Sequence, residues 1–251
     1  MRFIVMHKTE PRWEAGAIPD AELIARVGKL MGDFAKAGVL LGGEGLRASS
    51  LGERLRSSGG RHTVTKGPFT PGNELPAGFI LVRTASLQDA SAWAARLANI
   101  LGEAEIDIRP LTEAWDIGMV PVPPKLTTHR YMLLYKADAE SESGRPRSAE
   151  QRAQLAGLLE ELSKAGVLLA HIGLQPSQQG RRYTFRGGKH TVMDGPFAES
   201  KELIAGYAMF QAESIEEASE WALRYGEAVG PPEVDLRVVE ETLRASNPNR
   251  S

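Results

Sequence analysis

Chemistry in this chain has to come from histidine, carboxylate, hydroxyl, lysine or arginine side chains, because none of its 251 residues is cysteine. That removes disulfides, thiolate nucleophiles and cysteine-held metals together. Asp194 and His190 stand out by type and spacing. Asp194 precedes Gly195-Pro196, where a carboxylate either acts as base or ligand anchor or simply closes a turn on nearby amides. His190 lies four residues earlier, and histidine is the side-chain type suited to proton transfer near neutrality. On a straight strand both side chains share a face but stand about 13 Å apart at ~3.3 Å per residue. A dyad therefore needs a bend at Asp194-Gly195 or a ligand spanning the gap. The pair is the candidate catalytic set, against the competing reading of a turn aspartate and a histidine on a half-exposed hairpin.

His171, Glu44, His62, Glu199 and Arg237 are the candidate ligand-binding residues. Arg237 and its counterpart Arg109 either face a shared cavity and hold an anion or lie at the surface. No metal site is expected, since His171, His190, Asp194 and Glu199 come from different elements without ligand spacing. No cofactor is expected either: Gly42 to Gly45 match neither a dinucleotide nor a P-loop spacing. Trp93 and Trp221 fall on apolar helix faces and read as core anchors.

These residues occur in a chain that repeats itself. At an offset of 128 positions, Lys8 falls on Lys136, Ala37-Gly38-Val39-Leu40-Leu41 on Ala165-Gly166-Val167-Leu168-Leu169, and Gly59 to Phe69 on Gly187 to Phe197. Trp93-Ala94 meets Trp221-Ala222, and Glu105, Arg109 and Glu113 meet Glu233, Arg237 and Glu241. The copies differ where chemistry is sought. Lys66 replaces Asp194, while Ala170-His171-Ile172 replaces Gly42-Gly43-Glu44. Two readings stand side by side: unequal sites, one near Asp194 and His171 and the other reduced or built around Glu44, or drift in structural loops.

Each copy reads as strand, helix, strand, hairpin strand, strand, helix, strand. Ser148 with Gln151 and Ser214 with Glu217 form capping boxes. Leu155, Leu158, Leu159 and Leu162 recur at helical spacing, and Gly187-Gly188 supplies the positive φ angles of a two-residue turn. The pattern predicts an α+β fold of two ferredoxin-like units. Their sheets should face each other across a pseudo-two-fold axis as an intrachain pseudo-dimer, of the dimeric α+β barrel type. The expected division is repeat 1 over 1–119, a proline-rich linker over 120–128 that acts as an extended spacer, repeat 2 over 129–244 and a polar tail over 245–251.

Hydrophobic content of 42%, charged content of 25% and a formal net charge of -2 describe a globular chain with material for real cores. They offer no basic excess for nucleic acid or an anionic membrane. A charge arrives at Lys8, too soon for a signal peptide, and no apolar run of ~18 residues follows. A cytoplasmic location is the expectation.

Asp194-Gly195-Pro196-Phe197-Ala198-Glu199-Ser200-Lys201-Glu202, followed by Gly206-Tyr207, resembles the signature of the YCII-related family, in the branch named for its DGPF motif. Gly42 to Leu46 and Leu174-Gln175-Pro176 resemble that branch's segment after the first helix. The resemblance covers both copies almost end to end and implies a dimeric α+β barrel. It also implies a link to extracytoplasmic-function sigma factors for many branch members, and small-molecule breakdown for some relatives. Relatives with a His-Asp dyad carry the histidine near the first helix, where this chain has none between Lys8 and Arg61. The expected function is therefore small-molecule binding in a cavity between the repeats, as a sensor or accessory protein of a sigma-factor-linked system. The alternative is a cofactor-independent lyase or hydrolase acting on a small polar or aromatic metabolite through Asp194. The chain is expected as a monomeric pseudo-dimer or as a higher homo-oligomer.

Overall fold

The computed structural model describes residues 1–197 and 200–240. The first copy runs β1 (Arg2–Lys8), α1 (Pro11–Glu14), α2 (Ala21–Lys36), β2 (Leu40–Gly45), β3 (Glu53–Ser58), β4 (Arg61–Lys66), β5 (Pro76–Thr84), α3 (Leu87–Leu101) and β6 (Ala104–Pro110). The second repeats it as β7 (His129–Lys136), α4 (Ala139–Glu142), α5 (Ala149–Lys164), β8 (Leu168–Gly173), β9 (Arg181–Arg186), β10 (Lys189–Asp194), β11 (Ile204–Gln211), α6 (Ile215–Val229) and β12 (Glu233–Val238). The expected element order holds in both, with a second hairpin strand in each copy and the short helices α1 and α4 added.

Local signals act as their chemistry requires. Ser148 and Gln151 form the reciprocal box at α5. At α6 half of the box forms: Ser214 Oγ accepts from Glu217 N–H at 3.2 Å, but the Glu217 carboxylate takes the amide of Glu213 instead, at 2.7 Å. Gly38 and Gly166, with φ of 71° and 69°, follow α2 and α5 and turn the chain where a side chain would be strained.

The strands form two six-stranded antiparallel sheets, ordered β10-β9-β12-β1-β11-β2 and β4-β3-β6-β7-β5-β8. This is the expected pair of ferredoxin-like sheets, yet each sheet is composite. The opening β-α-β of each copy sits in the sheet built by the other copy's remaining strands: Phe3 pairs with Phe210 and Val238, and Leu133 pairs with Ile80 and Ile108. The repeat boundaries thus divide the sequence but not the sheets. The segment expected as a spacer instead connects β6 to β7, adjacent antiparallel strands of one sheet.

Alternation along the strands splits the apolar residues into three cores. Phe3, Val5, Leu236 and Tyr183 meet α2 and α6 through Phe34, Ala218 and Ala222. Ile80, Val82, Leu133 and Ile108 meet α3 and α5 through Ala94, Leu158 and Leu162. Between the sheets lie Ile4, Met6, Phe79, Leu81, Met132, Leu134 and Tyr207, none more than 8% exposed. Each such side chain contributes about 2 kcal/mol by leaving water. This layer packs the two inner faces together where an open cavity between the repeats was expected. Bridges Leu46–Leu111 and Leu174–Val239 tie the sheets at their margins. Among the described residues, no helix is long and apolar enough to cross a membrane.

Candidate functional site

Strand alternation puts Tyr135 and His171 on the helix-covered face of neighbouring positions in one sheet. Tyr135 ends the apolar run of β7 beside Leu133, and His171 lies in β8, the edge strand beyond β5. The Tyr135 hydroxyl stands 3.5 Å from His171 Nε2. Burial drives both away from charge: it holds the His171 pKa down at about 4, helped by the Arg147 cation, and pushes Tyr135 up to about 12. Arg147, from the segment before α5, lays its guanidinium 5.7 Å from the Tyr135 ring centre. Glu240, just past β12, completes the group, its pKa raised by burial against the pull of Arg147.

Two glycines make room for this group. A Cβ on Gly78 would lie 2.2 Å from the Tyr135 hydroxyl and 2.5 Å from the Ile172 carbonyl oxygen. One on Gly173 would lie 2.1 Å from the Glu240 carboxylate. The result is a neutral His-Tyr pair roofed by one cation and flanked by one acid, able to donate and accept hydrogen bonds to a small anion. Burial holds the Tyr135 hydroxyl well away from ionisation.

At the matching place in the first copy the chemistry is different. His7 stands over Gly206 as Tyr135 does over Gly78, and its Nδ1 meets the Tyr225 hydroxyl at 2.7 Å. Burial, then the charge of Lys8, holds His7 down at about 4. Pro19, Gly43 and Thr112 occupy the positions of Arg147, His171 and Glu240, so this copy has no cation there. Its Glu44 is instead tied up by Arg130, at 2.5 Å, which also holds Glu113 at 2.7 Å.

The inner faces of the sheets carry buried charge in both copies. Arg54 donates to Asp107 at 2.6 and 2.9 Å and to Glu74 at 3.0 and 3.1 Å, while Lys136 donates to Asp107 at 2.7 Å and also to Glu74. In the second cluster Lys8 donates to Asp235 at 2.7 Å and Arg182 to Asp235 at 2.6 and 3.0 Å. Burial opposes ionisation of both aspartates, but the paired cations outweigh it and hold both below the usual carboxylate range. These groups are consumed by one another, which marks them as structural.

The other expected site residues scatter. Asp194 and His190 lie on β10, whose residues are all exposed. The Asp194 side chain is 79% exposed and bonded to Arg181 at 3.0 Å, while His190 packs its ring 6.1 Å from that of Phe185. No dyad forms between them. His62 is exposed on β4, and Glu199 lies outside the described residues. Arg237 and Arg109 are fully buried rather than superficial. Arg237 reaches the carbonyls of Gln175 at 2.6 Å and Pro76 at 3.3 Å, and Arg109 that of Ile204 at 2.5 Å. Each crosses from its own sheet to the other, held by backbone carbonyls and by a carboxylate at 3.4 Å, Glu142 for Arg237 and Glu14 for Arg109. Of the expected set, Glu44 and Asp194 join ion pairs with Arg130 and Arg181, and His171 joins the His-Tyr group. Its companions Tyr135, Arg147 and Glu240 were missed; the signal available was the mismatch between copies at all four positions.

A model of the YCII-related domain matches the chain twice, over residues 1–112 and 129–228, and the chain belongs to that family. No curated protein matches it.

Proposed function

We propose that this YCII-related chain binds a small carboxylate- or phosphate-bearing molecule at one site, built by Arg147, His171, Tyr135 and Glu240, and does so without turning it over. The observation that carries the reading is the lone Arg147 cation over a neutral His-Tyr pair, present in one copy and replaced in the other. The buried cations of the inner sheet faces are matched to protein carboxylates, whereas half-buried Arg147 has only the Tyr135 side chain and Glu240, an acid whose own burial opposes its charge, among the described residues. The resemblance of the segment around Asp194 to the DGPF branch extends this to a sensor or accessory role beside a sigma factor. No observation favours the lyase or hydrolase alternative, since Asp194 is solvated and paired with Arg181.

The test is a thermal-shift and calorimetric screen of small carboxylic acids and phosphate esters against wild type, Arg147→Ala and Asp194→Asn. Stabilisation that vanishes in Arg147→Ala and survives in Asp194→Asn supports the site. Loss in Asp194→Asn alone moves it to β10, and silence across the screen rejects small-molecule binding in favour of a protein partner.

A further inference from the structure

The hairpins β3–β4 and β9–β10 end the two sheets, and β4 and β10 are outer strands with one neighbour each. Every residue of both strands is exposed. An exposed strand edge is a template for another strand unless something blocks it.

The backbone orientation of β10 follows from its neighbours. Gly187 and Gly188, with φ of 55° and 73°, close a two-residue turn. Phe185, which faces His190, turns its amide away from β10 to the Pro232 carbonyl at 2.9 Å. Gly195 turns its amide inward, to Gly180 at 3.0 Å. The residues whose N–H and C=O point outward are therefore His190, Val192 and Asp194. Val192 is 51% exposed.

We infer that β10 pairs antiparallel with β10 of a second copy of this chain, about a two-fold axis through Val192. Antiparallel pairing requires residues of the same orientation to face each other, and the register centred on Val192 satisfies every outward group. It places His190 opposite Asp194 of the second copy at both ends and Val192 against its equivalent in the middle. An opposed acid and base with an apolar centre is a favourable cross-strand set. Asp194 Oδ1 accepts from Arg181, while Oδ2 has no partner among the described residues and is open to the incoming imidazole. The histidine and aspartate that cannot meet within one strand meet across this axis.

The same register on β4 opposes His62 to Lys66 at both ends, with Val64 in the middle. It offers no acid, so a lysine faces each histidine with nothing to neutralise it. The exchange of Asp194 for Lys66 therefore leaves one self-complementary edge and one blocked edge. The assembly closes as an isologous dimer rather than growing into a filament. One strand per subunit is a small interface, so a Kd in the range of about 1–100 µM is expected.

Sedimentation of the full chain across that range should show a monomer–dimer equilibrium. Asp194→Lys, which copies the first edge, should weaken it at least tenfold, and Lys66→Asp should add higher oligomers. Because the chain lacks cysteine, Val192→Cys gives a single thiol. Its Cα should lie about 5.5 Å from its equivalent, within reach of a disulfide. Mild oxidation should link Val192→Cys into covalent dimers and leave Val64→Cys unlinked. A wild-type monomer at all concentrations, a dimer indifferent to Asp194→Lys, or equal cross-linking of both thiols would overturn the proposal. These outcomes are independent of whether Arg147 binds a ligand.

Discussion

Around Asp107, two buried cations are shared between two buried carboxylates; around Asp235, the two equivalent cations meet one buried carboxylate among the described residues, with half-buried Glu233 also 3.2 Å from Arg182. Glu74, fully buried, supplies the difference, and its counterpart Glu202 is exposed. The residue types match at all four positions, so composition is not the cause. The chain before β5 folds Glu74 inward through a hydrogen bond from the Gly72 amide to its carboxylate at 2.8 Å. In the second copy Ser200 stands at the position of Gly72. Lys8 is consequently left with Asp235 as its partner among the described residues, whereas Lys136 has Asp107 and Glu74. Duplicated residues therefore do not guarantee duplicated sites: the backbone between them decides which charges arrive.

The largest expected effect comes from removing the shared aspartate. Asp235→Asn strands Lys8 in the interior and should cost about 3–5 kcal/mol in urea unfolding. Asp107→Asn should cost clearly less, because Glu74 still holds both cations, and the reverse ranking would break the comparison. Next is acid sensitivity. His7 and His171 are both held down at about 4, so they stay neutral in the fold while the unfolded chain takes up protons near pH 6.5. The stability they contribute is full above pH 6.5 and is lost as pH falls toward 4. His7→Gln and His171→Gln should each flatten that limb of the stability–pH curve, by similar amounts because both rings are partly exposed. The smallest effect separates the two glutamates. Glu74→Gln should cost about 1–2 kcal/mol, and Glu202→Gln should stay within about 0.5 kcal/mol.

The elements of the fold were legible because their signals are local: the Gly187-Gly188 turn, the Ser148 cap and the Leu155 to Leu162 stripe all depend on near neighbours. Strand exchange was not. A repeat at constant offset makes β1 and β7 equivalent, and equivalent strands carry no sequence mark of which copy they join. The inner-face charges were hidden for another reason. Alternation reads Lys8, Arg54 and Asp107 as solvent positions, although their recurrence at Lys136, Arg182 and Asp235 was already visible. At the candidate site, His171 was legible as a type and Tyr135 was absorbed into an apolar run. Asp194 and His190 share one face of β10, as their spacing required, but within one strand they remain apart.

Composite sheets also set a timetable for synthesis. Phe3 pairs with Val238, which leaves the ribosome roughly 230 residues after it, some 10–50 s at ordinary elongation rates. Through that interval β1 has α2 to pack against but no neighbouring strand until β11 emerges, and the contacts that close the sheet are among the most distant in the sequence. The nascent chain therefore keeps both edges of β1 open until β11 and then β12 arrive.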